Sequence, residues 1–210
     1  ILRSRFEFLP EGEYSIEIDP RSVDPQRAHL LAEMGFNRMS LGIQDFDPQV
    51  QEAVNRIQTF EQTRDVLQAA RDAGFKSVSV DLIYGLPKQT LEGFRATLEK
   101  TLSLAPDRIA LYSYAHLPQI FMPQRRIDEA ELPKGEDKLS LMAMAIETRL
   151  GPAEATLAST CCSISRSALT NSPRTISFVS QSNDRDSREA VGSAEPIGIS
   201  TTIENPLVIF

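Results

Sequence analysis

The stretch "SVSVDLIYGLPKQT", residues 77–90, decides how the rest of the chain is read. Ser77-Val78-Ser79-Val80 leads into Leu82-Ile83-Tyr84, a run with the composition of a β-strand, and Asp81 lies inside it. A carboxylate in a strand interior is costly unless something binds it. Gly85-Leu86-Pro87 turns the chain out of the strand, with Gly permitting close backbone approach and Pro fixing the exit. Thr90 then caps a helix carrying Leu91, Phe94, Leu98 and Leu102. Strand, tight turn and covering helix form one βα unit.

The same unit recurs on both sides. "YSIEID" (14–19) alternates apolar and polar residues and stops at Pro20. "DPQRAHLLAEMG" (24–35) follows as a helix, with Asp24 as N-cap, Pro25 in the first turn and Gly35 as its stop. "NRMSLGIQ" (37–44) is a second strand through Met39, Leu41 and Ile43. Thr59 and Gln62 form a capping-box pair that opens a helix through Val66, Leu67, Ala70 and Ala73, ending at Gly74. "RIALYSYA" (108–115) is a fourth strand. A further helix starts at Gly135-Glu136 and runs through Leu139, Met142, Ala143 and Ile146. Strands alternating with helices at this spacing predict βαβ units and a parallel sheet. A barrel, a partial barrel and a doubly wound sheet all satisfy the pattern.

The chain has 210 residues, 41% hydrophobic and 24% charged, with a net charge of −7. This is the composition of one ordinary globular domain, and its acidic balance argues against a general nucleic-acid or membrane-surface binder. No apolar run is long enough to span a bilayer, so no membrane insertion is expected. The N-terminal "ILRSRFEFLP" has neither an initiator Met nor a signal-peptide pattern. The chain therefore reads as cut at its start, with a cytoplasmic origin expected. Its two cysteines, Cys161 and Cys162, are adjacent, a poor arrangement for a disulfide and too few for a structural zinc site.

After Leu150 the composition changes. Ser and Thr make up a tenth of residues 1–150 and more than a quarter of residues 151–210, and helical periodicity ends. Residues 151–210 are therefore expected to be an irregular tail, either disordered or unrelated, out-of-frame sequence joined to the 1–150 domain.

Ligands of parallel α/β proteins sit at the carboxyl ends of the strands. Those ends deliver Glu17 and Asp19, Gln44 and Asp45, Asp81, and Tyr114-Ala115-His116. Such a ring can hold a ribose, an amino-acid head group and a base, and a carboxylate suits two sugar hydroxyls. Ordinary alternatives exist. Asp19 before Pro20 can make a turn, Asp45 can cap the following helix, His116 can be structural, and Arg56 can be a solvated helix-face charge. Asp81 and Gln44 are harder to explain structurally.

Four blocks, "SIEIDP", "RMSLGIQDFDPQVQEAVNR", "DLIYGLPKQT" and "YAHLPQIFMPQRRI", together resemble the oxygen-independent coproporphyrinogen III oxidase family of the radical S-adenosylmethionine (SAM) superfamily. The resemblance covers roughly residues 1–150. "LGIQDF" and "DLIYGLP" also fit a sister group of haem-chaperone-like radical SAM proteins, whereas "YAHLP" followed by "QRRI" leans toward the oxidases. The resemblance implies a partial (β/α) barrel, incomplete here because its first strands would lie upstream, whose strand ends hold SAM and a [4Fe–4S] cluster. It implies a SAM-derived radical that drives oxidative decarboxylation of coproporphyrinogen III to protoporphyrinogen IX, a tetrapyrrole substrate, an electron donor and acceptor of unknown identity, and a monomer.

Carried over by motif, Glu17 would contact SAM with Gln44 beside it. Arg56 would pair with the SAM carboxylate, Asp81 would accept the ribose hydroxyls, and the backbone of Ala115 would meet the adenine. The family's three cluster cysteines and glycine-rich segment are absent and would lie upstream of Ile1. Cys161-Cys162 cannot replace them, so the chain alone is expected to be inactive.

Overall fold

A computed structural model describes residues 5–150 and 175–179. Five strands, β1 (Ser15–Ile18), β2 (Arg38–Gln44), β3 (Ser77–Tyr84), β4 (Arg108–Ser113) and β5 (Thr175–Val179), form one sheet in the order β1-β2-β3-β4-β5, with every neighbouring pair parallel. Helices α1 (Pro25–Glu33), α2 (Pro48–Ala53), α3 (Phe60–Asp72), α4 (Leu91–Ser103) and α5 (Glu136–Leu150) connect or follow the first four strands.

Side chains alternate between the two faces of a strand. One face carries Ile18, Met39, Leu41, Ile43, Val78, Val80, Leu82, Ile109 and Leu111, all buried in a single core with residues of α1, α3, α4 and α5. All four long helices therefore cover the same face of the sheet. That excludes the doubly wound sheet, which needs helices on both faces, and leaves a barrel-type sheet, here open and therefore partial, that keeps its helices outside. The opposite, inner face carries Glu17, Ser40, Gly42, Ser79, Asp81 and Ala110, which are small or polar.

Local chemistry starts and stops the helices as the sequence implies. Asp24 accepts from Arg27 N, Thr59 and Gln62 form the reciprocal capping box, and Thr90 accepts from Gly93 N. Gly35 and Gly74 follow α1 and α3 with positive φ. The cap of α2, however, is Asp47 rather than Asp45: Asp47 accepts from the N–H groups of Gln49 and Val50 ahead of Pro48. Asp45 points the other way, into the protein. On α5 the buried positions are Leu141, Met144 and Ala145, whereas Leu139 is exposed, so the helix is rotated relative to the expected face. Lys138, half-buried in the first turns of the same helix, reaches the backbone just past β4.

The sequence places residues 175–179 in an irregular tail, but the structure pairs Thr175–Val179 with Arg108–Tyr112 of β4. The pentapeptide "TISFV" is rich in β-branched and aromatic residues, and an otherwise open β4 edge offers it a ladder of unpaired backbone groups. The rest of the tail, including Cys161-Cys162, lies outside the described residues.

Candidate functional site

β2 ends in a tight, strained turn. Asp45 N donates to Ile43 O at 2.9 Å, closing a three-residue turn around Gln44, whose φ is +65°. A γ-turn with positive φ is rare and strained for a residue with a side chain. The turn sets the Gln44 amide back over Gly42: a Cβ on Gly42 would lie 2.8 Å from Gln44 Nε2 and 3.0 Å from Arg56 Nη2. Glycine is what lets these two side chains share the space.

Arg56 reaches this corner from beyond α2. Its Nη2 donates to Gly42 O at 2.9 Å, and its Nη1 pairs with Asp19 Oδ2 at 3.1 Å. At 8% exposure it is no solvated surface charge. Burial holds its guanidinium below the usual value, against the pull of Asp19. Asp19 does make the expected turn, accepting from Arg21 N, and also holds the Arg21 side chain at 2.7 Å. Burial alone would raise the Asp19 carboxyl, but its bonds to Arg21 and the charge of Arg56 keep it below the ordinary value.

Three buried side-chain atoms at this corner have no hydrogen-bond partner within the protein: Gln44 Oε1, Arg56 Nε and the Oε1 of Gln58, whose Nε2 donates to Ile43 O. Orphaned buried polar atoms are rare and expensive. Gln44 Oε1 is an acceptor and Arg56 Nε a cationic donor, both on side chains beside Gly42. The pair is complementary to the two ends of a free amino-acid head group, an ammonium that donates and a carboxylate that accepts.

One strand over, Asp81 is in register with Gly42 on one side and Ala110 on the other. Its carboxylate accepts from Ser40 Oγ at 2.8 and 2.9 Å, and Ser40 meets Ser79 Oγ at 2.7 Å. A partly solvated rim position would fit a waiting carboxylate, but Asp81 is only 3% exposed, because it sits mid-strand among residues buried on both faces. Burial pushes its pKa up to about 7, with the Glu17 charge adding to the rise and Ser40 and Arg108 opposing it. Glu17 is in register with Ser40 and also acts on Arg56, so its charge reaches both arms of the site.

Glu17, Gln44, Arg56 and Asp81 thus converge on the inner face around Gly42. Ala115 stands apart, past the end of β4. Its loop is held by Gln124, which donates to Ala115 O at 3.1 Å and accepts from Leu117 N at 2.5 Å. Lys138 donates to Tyr114 O at 2.6 Å. His116 fills its structural alternative, meeting Tyr114 Oη at 3.1 Å and Glu129 at 3.4 Å. The sequence reading missed Ser40, Ser79 and Gly42 as parts of the site. Their signal was parity: each shares the strand face of Asp81 or Gln44.

The family model described as the radical SAM superfamily matches residues 1–101. Those residues belong to a radical SAM domain. The chain is 50% identical over 148 residues to the oxygen-independent coproporphyrinogen III oxidase of Pseudomonas aeruginosa, which is 70% of this chain and 32% of that protein. Against the Escherichia coli oxidase of the same name it is 47% identical over 146 residues, again 70% of this chain and 32% of the relative. The solved structure of the E. coli coproporphyrinogen III oxidase, described as a radical SAM enzyme, superposes with a TM-score of 0.65 at 42% identity, covering 76% of this chain and 34% of that one. The chain spans about a third of the length of the curated relatives it matches.

Of the two groups that radical SAM chemistry employs, the residues fit one. The orphaned Gln44 and Arg56 atoms, the cradle at Gly42 and the Asp81 carboxylate suit SAM. The [4Fe–4S] cluster does not fit: among the described residues no cluster of three His, Cys, Asp or Glu side chains could hold a metal, and the chain has only two cysteines in all.

Proposed function

We propose that this chain carries the SAM-binding portion of an oxygen-independent coproporphyrinogen III oxidase, which converts coproporphyrinogen III to protoporphyrinogen IX by oxidative decarboxylation. The observation that carries the proposal is the pair of unpartnered buried atoms, Gln44 Oε1 and Arg56 Nε, beside Gly42. Arg56 would hold the SAM carboxylate and Gln44 its ammonium, with the Glu17 carboxylate adding negative charge on the same side. Asp81, ionised, would accept from the ribose hydroxyls, and the Ala115 backbone would meet the adenine. When bound, SAM supplies the hydrogen-abstracting group of the reaction; the protein positions it. The tetrapyrrole is the second small-molecule partner. Identity near 50% to oxidases supports this reading over the haem-chaperone sister group. No helix among the described residues is long and apolar enough to cross a membrane, in keeping with a cytoplasmic biosynthetic protein. The compositional break supports a separate origin for residues 151–210, although Thr175–Val179 lies beside β4.

Equilibrium dialysis of labelled SAM against the full chain tests the site. Saturable binding is expected, with Arg56→Met and Asp81→Ala each weakening it about tenfold or more, the worth of a charge-assisted hydrogen bond. Binding that neither substitution changes would contradict the proposal.

A further inference from the structure

The strain at Gln44 has to be held by something, and the candidate is a carboxylate that the SAM site does not use. Asp45 is 1% exposed. It accepts from Asp47 N at 2.8 Å, from Gln89 Nε2 at 2.6 Å and from Thr97 Oγ1 of α4, whose oxygen in turn accepts from Phe46 N at 3.1 Å. Gln89 extends the bond across the next loop. Its Nε2 also donates to Ile83 O at 3.0 Å, and its Oε1 accepts from Gly85 N at 2.6 Å and Leu86 N at 3.3 Å. One buried carboxylate therefore ties the exit of β2 to the exit of β3, the two strands that bear Gln44 and Asp81.

Side-chain amides complete the lock. Gln51 Nε2 donates to Asp45 O at 2.9 Å, and its Oε1 accepts from Gln58 N at 3.1 Å. Gln58 Nε2 donates to Ile43 O at 2.7 Å. Gly93 lets α4 come close: a Cβ there would lie 2.7 Å from Asp47 Oδ2.

We infer that Asp45, with Gln89 and Thr97, is a positioning group that holds Gln44 in its strained γ-turn and fixes the β2 exit against the β3 exit, so that the Gln44 amide and the Asp81 carboxylate address one ligand together. The geometry argues for more than packing. Two of the three hydrogen bonds to the carboxylate come from residues 44 and 52 positions away, Gln89 and Thr97, and the turn they brace contains a buried acceptor without a partner. Strain in a non-glycine residue persists only where its surroundings over-determine it. The inference rests on the SAM reading for the ligand's identity, not for the lock.

Two measurements on the full chain test it. In thermal melts, Asp45→Asn lowers the melting temperature because one of its amide hydrogens must face a donor. That loss should grow in a Gln44→Gly background, because releasing the Gln44 strain offsets part of the lost bonding, whereas glycine adopts positive φ without strain and has none to release. Equal losses in both backgrounds overturn the lock. In SAM binding, Asp45→Asn and the milder Thr97→Val should each reduce affinity about tenfold, whereas Thr97→Ser, which keeps the hydroxyl, retains it. Val66→Ala, a core truncation in α3, should lower the melting temperature without changing affinity. If Thr97→Val loses no more affinity than Val66→Ala, the positioning role is overturned. If the unaltered chain binds no SAM, the ligand reading fails, and the melting comparison alone decides the lock.

Discussion

At Asp81 two demands oppose each other. A ribose-binding carboxylate must be ionised to accept two hydroxyls, yet burial favours its protonated form and raises its pKa from 3.8 to about 7. The unfolded chain ionises Asp81 near 3.8, the folded chain only near 7, so its contribution to stability is full below the first value and is lost as pH rises through the second. The cost above neutrality is on the order of 4 kcal/mol. SAM affinity runs the other way: it should increase as pH rises through about 7, because the ligand selects the ionised carboxylate. Asp81→Asn separates the two effects. It keeps an acceptor for Ser40 but carries no charge, so it should raise stability above neutrality by roughly 1–3 kcal/mol while weakening SAM binding. Denaturant melts and dialysis at the same pH check this. An Asn variant that is both less stable there and undiminished in binding would contradict this account of Asp81.

At the scale of elements, capping is separable from the site. Thr59 accepts from Gln62 N at 3.1 Å, and Gln62 Oε1 accepts from Thr59 N at 2.9 Å. Thr59→Ala should cost about 1 kcal/mol in urea unfolding. Because α3 packs on the outer face, SAM affinity should stay unchanged; a loss of affinity would mean that helix and site are coupled. These start signals are local, which is why α1, α3 and α4 were legible from Asp24, Thr59 and Thr90. Strand parity was legible too, and Asp81 and Gln44 stood out because polar groups were set into apolar strands. What stayed hidden depended on pairs distant in sequence. Asp45 looked like a helix cap until Gln89 and Thr97, 44 and 52 residues away, were seen to donate to it. The face buried by α5 was set by contact with α4 and β3 rather than by its own periodicity. The Arg56–Asp19 pair joins the ends of two elements that no local pattern relates.

At the scale of the whole molecule, the two groups of radical SAM chemistry fare differently. The inner face of β1–β3 presents donors and acceptors of the kind the proposed SAM site requires, whereas two adjacent cysteines are too few for a cluster. Anaerobic reconstitution with iron and sulfide should leave the full chain with far less than one cluster per molecule; a stoichiometric cluster would contradict this. We propose that SAM binds at the corner formed by Gly42, Gln44, Arg56 and Asp81. Backbone amide NMR of the labelled chain during a SAM titration tests it most directly. Saturable shifts centred on Gly42, Gln44, Asp81 and Ala115 are expected, absent in Arg56→Met at the same concentrations. No shifts at these residues, or shifts confined to the groove lined by Phe6, Phe8, Tyr14 and Asn37 ahead of β1 and β2, would contradict it.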